Sequence, residues 1–138
     1  MSEHEDDLLA CEISAVVPVY NEEENIEDLV KALHETLTTL GRRFEIILVD
    51  DGSSDATVRT IMAAAEACPE LRGIFLARNY GQSTAMQAGF EHATGDLVVT
   101  LDGDLQNDPT DIPRLIKTLE ESGVDVVSGW RLKRKDGF

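Results

Sequence analysis

The feature that most restricts the fold of this chain is a regular alternation of short apolar runs with longer segments of helical periodicity. Five runs of strand length, rich in Val, Ile and Leu, lie at residues 13–19, 44–50, 71–77, 96–102 and 124–130. The segments between these runs carry apolar residues three and four positions apart, at residues 21–40, 55–67, 81–94 and 108–122. Strands separated by helices of this length need crossover connections, which predict a mostly parallel sheet.

The element order predicts an α/β fold, a three-layer α/β/α sandwich with helices on both faces of a mostly parallel central sheet. A length of 138 residues suits one domain with a single core. Residues 1–11 are acidic and lack an apolar pattern, so we expect a disordered leader there and a folded domain over residues 12–138.

The charge balance restricts the partners of the chain. Its 27 acidic residues outnumber 12 basic ones, for a net charge of −15. Bare nucleic acid is therefore an unsuitable partner, because phosphate contacts need clustered Lys and Arg. A phosphorylated small molecule remains compatible with this charge if a divalent cation bridges carboxylates and phosphates. The acidic excess is equally explained by solubility alone.

Cysteine and histidine positions indicate neither a disulfide scaffold nor a zinc site. Cys11 and Cys68 lie far apart, and His4, His34 and His92 have no metal-binding spacing along the sequence. The N-terminal segment lacks the apolar stretch of a signal peptide, and no apolar run approaches the ~20 residues of a membrane span. We therefore expect a cytoplasmic protein without a transmembrane segment.

The fourth apolar run leads into an acidic turn that could bind a metal. Asp102 ends this run, and Asp104 follows after a single glycine. Two carboxylates so close repel each other unless a cation neutralises them, and oxygen ligands suit Mg²⁺ or Mn²⁺. Gln106 would add an amide oxygen. A plain acidic turn without any metal has the same residue types, so the motif alone is weak.

Other polar residues follow the first and second runs, where parallel sheets bind ligands at the carboxyl ends of their strands. Asp50 could accept a hydrogen bond from a base or a ribose hydroxyl, with Asp51 shaping the loop. The same loop also suits a turn and a helix cap, because Ser54 and Asp55 are both good N-caps. Pro18, Tyr20 and Glu22 end the first run. Tyr20 could stack on a base or simply close the edge of the sheet.

Two basic features stand out in this acidic chain. Arg78 follows the third run and could bind a phosphate or pair with one of the many carboxylates. The segment 131–135, RLKRK, could address substrate phosphates or an anionic membrane surface, or could be a solvated tail. P-loop, dinucleotide-binding and serine-hydrolase motifs are absent from the sequence.

The motifs taken in order resemble family 2 glycosyltransferases of the GT-A fold. They are VVPVYNEEENI, EIILVDDGSSDAT, ARNYGQSTAMQAGFEHATGD, VVTLDGDLQNDP and VVSGWRLKRKDG, within residues 13–137. The most similar branch is the dolichol-phosphate mannosyltransferase type, which transfers a hexose from a nucleotide sugar to a polyprenyl phosphate. Five motifs in one order make the resemblance far more specific than any single motif.

The resemblance implies a role for each site residue. Asp102 and Asp104 would be the catalytic pair that holds Mg²⁺ or Mn²⁺ and the diphosphate, with Gln106 beside them. Arg131 would approach the donor. The nucleotide would be bound by five residues, Pro18, Tyr20, Glu22, Asp50 and Asp51.

The resemblance also implies partners and a reaction. The donor would be a UDP- or GDP-hexose, and the acceptor a dolichyl or undecaprenyl phosphate at the cytoplasmic face of the membrane. Attack on the anomeric carbon from the face opposite the diphosphate would invert its configuration. Because the phosphate acceptor is already ionised, this reaction needs no strong general base.

Two alternatives remain beside this enzyme. The family's acceptor-binding half would begin where residues 134–138, RKDGF, stand, so we expect the donor part of the domain, truncated before that half. Such a part could instead be a non-catalytic nucleotide-sugar-binding module. A phosphoacceptor receiver domain is the remote alternative, since it needs an acidic pair after the first strand, where this chain has Tyr20, Asn21 and Glu22.

Overall fold

A computed structural model of the chain describes residues 11–101, 109–122 and 126–128. The strands within these ranges are β1 (Ile13–Val19), β2 (Phe44–Asp50), β3 (Leu71–Phe75), β4 (Leu97–Thr100) and β5 (Val126–Ser128). They form one sheet in the order β3-β2-β1-β4-β5, and every neighbouring pair is parallel. The predicted parallel sheet is therefore confirmed. Residues 1–10 of the expected leader lie outside the described residues.

The helices connect successive strands, as the periodicity predicted. They are α1 (Ile26–Thr38), α2 (Thr57–Ala67), α3 (Gln82–His92) and α4 (Ile112–Ser122), and a short 3-10 turn at Pro109–Asp111 precedes α4. None of the helices in the described ranges has the length and apolar character needed to cross a membrane.

The start of α1 differs from the sequence prediction. In the sequence, Asn21 with Glu24 three residues later predicts a capping box at the start of this helix, but α1 begins at Ile26 after Asn25. Asn21 has a positive φ of 51°, and its side-chain oxygen accepts hydrogen bonds from the backbone N–H groups of Ser54 and Asp55. The Asn21 side chain thus makes contacts between two loops and does not cap the helix.

The core has two parts, one on each face of the sheet. The larger part packs α1, α2 and α4 against one face of β1 and β2, through residues that include Leu33, Ile61 and Ile112. The smaller part packs α3 against the other face, where Ala85 meets Val16. Alternate residues of β1 are buried on opposite faces. The predicted three-layer architecture is confirmed.

A buried carboxylate joins the strands at the amino-terminal edge of the sheet. Glu45 on β2 accepts hydrogen bonds from Ser14 Oγ at 2.6 Å and from the Thr94 backbone N–H at 2.7 Å. Arg72 on β3 donates to the same side chain at 2.8 Å. Desolvation acts to raise the pKa of Glu45, but the hydrogen bonds from Ser14 and Thr94 together with Arg72 hold the pKa below the usual glutamate range.

We expect the Glu45→Gln variant to lose about 2 kcal/mol of stability at neutral pH, because its amide group cannot accept all of these hydrogen bonds. A lowered folded-state pKa stabilises the protein above the unfolded-state value of about 4.3, and this contribution disappears as pH falls through the folded-state value. Urea denaturation from pH 7 to pH 3 measures the difference between the two proteins. A difference that stays constant over this range would contradict the assignment.

Candidate functional site

The strand order locates a crevice at the carboxyl edge of the sheet. β1 lies between β2 and β4, with Val19 beside Asp50 and Val16 beside Thr100. From β1 the chain adds β2 and β3 on one side and then β4 and β5 on the other. The order of strands thus reverses between β1 and β4, and open parallel sheets bind ligands beyond the carboxyl ends of the strands at such a point.

Three loops meet at this edge, and they are loop 1 (residues 20–25), loop 2 (51–56) and loop 3 (76–81). Hydrogen bonds join loop 1 to loop 2. The Asn21 N–H donates to Ser53 Oγ at 2.8 Å, while the Ser54 N–H donates to Asn21 Oδ1 at 2.9 Å. The Glu22 N–H donates to the hydroxyl of Thr57, the first residue of α2, at 2.9 Å. The two loops therefore form one ordered surface.

Asp55 continues this junction into the start of α2. Its carboxylate accepts hydrogen bonds from the backbone N–H and the hydroxyl of Thr57. Desolvation acts to raise the pKa of Asp55, but these bonds and the bond from the Glu23 N–H hold the pKa below its usual range. The sequence favours Ser54 or Asp55 as the N-cap of α2, but the residue at the N-cap is Ala56, and Asp55 accepts from Thr57 from one position further out.

Asp51 joins loop 2 to loop 3. One carboxylate oxygen accepts from the Tyr80 N–H at 2.8 Å, and the other accepts from the Gly81 N–H at 3.0 Å and from Asn79 Nδ2 at 3.2 Å. The residue is 4% exposed, so protein groups surround its side chain. Asp51 therefore shapes the loops, and a direct substrate contact by this residue stays a prediction.

Asp50 has a different environment although it is the neighbouring residue. Only 1% of it is exposed, and Oδ2 accepts from the Ser53 N–H at 3.1 Å. Oδ1 is buried and has no hydrogen-bond partner among the described residues. A buried acceptor without a partner is costly, which suggests that a group outside the described residues completes it. Asp50 is the candidate in this loop for a ligand hydrogen bond.

The residues predicted around the end of β1 lie together but differ in exposure. Pro18 is buried within β1, whereas Tyr20 is 45% exposed at the start of loop 1. Glu22 is half-buried, and its carboxylate accepts from Asn25 Nδ2 at 2.7 Å. The exposed ring of Tyr20 at the carboxyl edge of the sheet is available for stacking, whereas the Glu22 side chain forms a hydrogen bond within loop 1.

One aromatic residue at the same edge was not predicted. Tyr80 in loop 3 is 51% exposed, and the guanidinium carbon of Arg78 lies 5.6 Å from the centre of its ring. This distance is that of a cation–π contact, so Arg78 is stacked at the sheet edge. The sequence signal was the short segment ARNYG after β3, in which a role was predicted for Arg78 and none for Tyr80.

The predicted metal ligands follow directly from β4. The Leu101 N–H donates to the Val16 carbonyl at 3.2 Å, so β4 still runs beside β1 when it leaves the described residues. The hydroxyl oxygen of Thr100 is buried and has no hydrogen-bond partner among the described residues. Asp102, Asp104 and Gln106 lie outside the described residues, and so does Arg131, so their roles stay predictions.

Comparison with known proteins identifies the family. Residues 14–138 match the Glycosyl transferase family 2 domain. The chain is 48% identical over 127 residues to an undecaprenyl-phosphate 4-deoxy-4-formamido-L-arabinose transferase of Klebsiella pneumoniae, covering 91% of this chain and 38% of that protein. It is 46% identical over 134 residues to a dodecaprenyl-phosphate galacturonate synthase of Rhizobium johnstonii, covering 96% of this chain and 40% of that protein.

The chain thus spans about two fifths of the length of the curated relatives that it matches, 38% of the first and 40% of the second. Solved structures agree with the fold. The mannosyltransferase PcManGT of Pyrobaculum calidifontis, in complex with GDP-Man and Mn²⁺, superimposes with a TM-score of 0.67 at 26% identity, over 80% of this chain and 32% of that one.

A second solved structure, S. aureus TarS 1-349 in complex with UDP-GlcNAc, gives a TM-score of 0.63 at 24% identity, over 80% of this chain and 31% of that one. The expected GT-A fold is therefore confirmed. With the family domain matched over almost the whole chain and the parallel sheet of that fold present, this chain belongs to glycosyl transferase family 2.

Proposed function

We propose that this chain is the donor-binding part of a glycosyltransferase that transfers a sugar from a nucleoside diphosphate to a polyprenyl phosphate. One structural observation carries the proposal, namely the reversal of strand order between β1 and β4 at the carboxyl edge of the sheet. Loop 1 follows β1 on one side of this crevice, and β4, on the other side, leads in the sequence to Asp102 and Asp104. The proposed ligands thus follow the two strands where such sheets bind nucleotides.

Asp102 and Asp104 would hold Mg²⁺ or Mn²⁺, with Gln106 as a further ligand. Carboxylate and amide oxygens are the donors that both ions prefer, so the residue types fit. Their sequence position also fits, because Asp102 directly follows Leu101, whose N–H donates to the Val16 carbonyl of β1. When bound, the ion supplies positive charge that neutralises the diphosphate leaving group. PcManGT was solved with Mn²⁺ and GDP-Man, which supports this choice of cofactor and donor class.

The nucleoside would lie across β1 and β2. Asp50 Oδ1, which has no partner among the described residues, is suited to accept a hydrogen bond from a ribose hydroxyl or a base N–H, since a charged acceptor strengthens such a bond. The exposed ring of Tyr20 would flank the base, while buried Pro18 and half-buried Glu22 would hold loop 1 in place. Arg131 would approach the diphosphate as a bidentate donor.

The acceptor follows from the relatives. The relative at 48% identity has a name that specifies undecaprenyl phosphate, and the relative at 46% identity has one that specifies dodecaprenyl phosphate. A phosphate oxygen is ionised at neutral pH, so attack on the anomeric carbon needs no strong base, and displacement from the opposite face gives inversion. Such an acceptor resides in a bilayer, which would place the protein peripherally at the cytoplasmic face. The basic segment 131–135 would contact anionic lipid there.

The donor site is tested by thermal unfolding with UDP, GDP, UDP-glucose and GDP-mannose, each with Mn²⁺ and each with EDTA. A ligand at 100 times its dissociation constant adds about 2.7 kcal/mol of stability, which raises the midpoint by several degrees. We expect one nucleotide to produce this shift in Mn²⁺ only. The shift should disappear in Asp102→Ala and in Asp104→Ala.

The matched control is Asp96→Ala, which removes an exposed carboxylate just before the amino end of β4, far from the crevice. It should retain the full shift. If no nucleotide shifts the midpoint of the cooperatively unfolding chain, the donor-binding proposal is wrong. If one nucleotide does shift the midpoint, sugar transfer is measured separately, with the corresponding nucleotide sugar and undecaprenyl phosphate in detergent. Donor binding without product would identify a nucleotide-sugar-binding module in place of the enzyme.

A further inference from the structure

A second group of metal-binding side chains lies away from the crevice. His34 on α1, Cys68 directly after α2 and Glu70 before β3 bring three ligand atoms within 4.8 Å of one another. His34 Nε2 lies 3.3 Å from Glu70 Oε1, and Cys68 Sγ lies 3.6 Å from the same oxygen. Because β3 begins after Glu70, this group is near the amino-terminal edge of the sheet, opposite the donor site.

These separations are those of ligands around a tetrahedral ion. With bonds of about 2.0–2.1 Å to nitrogen, 2.3 Å to sulfur and 2.0–2.2 Å to oxygen, tetrahedral angles give ligand separations of about 3.3–3.6 Å. The nitrogen–oxygen distance of 3.3 Å and the sulfur–oxygen distance of 3.6 Å lie within this range. These two pairs therefore have the spacing of ligands around such an ion, and all three ligand atoms lie within 4.8 Å of one another.

The surrounding structure holds each ligand in position. The ring of His34 makes an edge contact with Phe44, at 5.6 Å between ring centres. The Cys68 N–H donates to the Ala64 carbonyl at 3.0 Å, and the Cys68 carbonyl accepts from the Leu71 N–H at 3.0 Å. The backbone of Cys68 is thus hydrogen-bonded to both α2 and the start of β3. Ligands whose orientation is already set lose little conformational freedom when a metal binds.

A cavity beside His34 and Cys68 gives access to these two ligands. Its volume is about 480 Å³, and His34 and Cys68 line it together with Glu27, Lys31 and Glu35 and with apolar residues of α1 and α2. A space of this size admits a hydrated ion and leaves room for a water molecule as a fourth ligand. Three protein ligands with one open position are typical of zinc sites that exchange a ligand.

We propose that His34, Cys68 and Glu70 form a binding site for a zinc-class divalent ion, with its fourth position open to the cavity between α1 and α2. A thiolate and an imidazole select such an ion over Mg²⁺, so the site differs chemically from the donor site. The expectation of no zinc site rested on spacing along the sequence, and these residues meet only through folding of α1 against the α2–β3 connection.

Binding requires the thiol to lose a proton. Burial raises the pKa of the Cys68 thiol, so without metal the group is protonated and can donate to Glu70. As the sulfur–metal bond forms, the S–H bond breaks and the proton passes to solvent, while His34 Nε2 and a carboxylate oxygen of Glu70 each donate an electron pair to the ion. An ion bound in this way would tie α1 to the start of β3.

The test is titration with Co²⁺, followed by displacement with Zn²⁺. Thiolate ligation of Co²⁺ gives a near-ultraviolet charge-transfer band that an all-oxygen site cannot give. We expect this band in the wild-type chain and its loss when Zn²⁺ is added. The band should be absent in Cys68→Ser and retained in Cys11→Ser, which alters the other free cysteine. It should also persist in Asp102→Ala, which separates this result from that of the donor site.

His34→Gln gives a second readout if Cys68→Ser folds poorly, because His34 is partly exposed and its side chain is 41% accessible. We expect this variant to bind Zn²⁺ about tenfold more weakly or worse and to lose the rise in unfolding temperature that Zn²⁺ gives the wild type. His92→Gln, on the surface of α3, should retain both. The absence of a thiolate band from the wild type, or its retention in Cys68→Ser, would overturn the proposal.

Discussion

Replacement of Gly52 by alanine is expected to destabilise the chain by about 4 kcal/mol, which corresponds to a fall of roughly 12 °C in the unfolding temperature. Gly52 has a φ of +74°, which costs an alanine about 1–2 kcal/mol. In addition, an added Cβ would lie 2.2 Å from the carbonyl carbon of Arg78 and 2.5 Å from the nitrogen of Asn79. Both are backbone atoms, so loops 2 and 3 would have to move apart.

Gly41 is the matched control for the cost of placing an alanine at a positive φ. It also has a positive φ, of +67°, at the end of α1, but an added Cβ there would meet nothing within 4 Å. We therefore expect Gly41→Ala to cost only about 1–2 kcal/mol. Urea denaturation of the two variants measures the difference. Equal losses of stability would show that loops 2 and 3 do not pack closely at Gly52. The described arrangement of these loops at the carboxyl edge of the sheet would then be wrong.

The sequence predicted the sheet well because buried parallel strands are apolar on both faces. Residues 44–50 form a nearly continuous apolar run that no amphipathic surface helix would have, and β2 was predicted at those bounds. The carboxyl-edge location of Tyr20 and Asp50 followed from the same logic, because parallel strands all end at one edge. Sheet order was not predicted, since no local pattern states which strands become neighbours.

The sequence could not predict contacts between distant loops. Asn21 has a helix-capping signature, yet it bonds to Ser54, 33 positions away. Asp51 accepts from Tyr80 and Gly81, 29 and 30 positions away, and only the packing of loop 2 on loop 3 creates those bonds. A carboxylate followed by serines signals a turn equally well whether its oxygens face protein or ligand. The distinction between Asp50 and Asp51 therefore required the structure.

The same isosteric change at these two neighbouring residues is expected to have unequal effects on stability. Asp51→Asn should cost about 3 kcal/mol of stability, because its amide group would face the Tyr80 N–H or the Gly81 N–H, donor against donor. Asp50→Asn should cost about 1 kcal/mol, because its oxygen can still accept from the Ser53 N–H and the other position has no described donor to oppose.

Nucleotide affinity should show the reverse order, with a larger loss in Asp50→Asn than in Asp51→Asn. Asp50→Asn removes the charged acceptor proposed for the ribose or base, so we expect about a tenfold or greater loss of affinity for the responding nucleotide in Mn²⁺. In Asp51→Asn, measured well below its lowered unfolding temperature, affinity should fall less, because this carboxylate contacts protein groups. Calorimetric titration of both folded variants measures the affinities. An Asp51 variant of full stability with abolished binding would reverse the assignment and make Asp51 the ligand-contacting carboxylate.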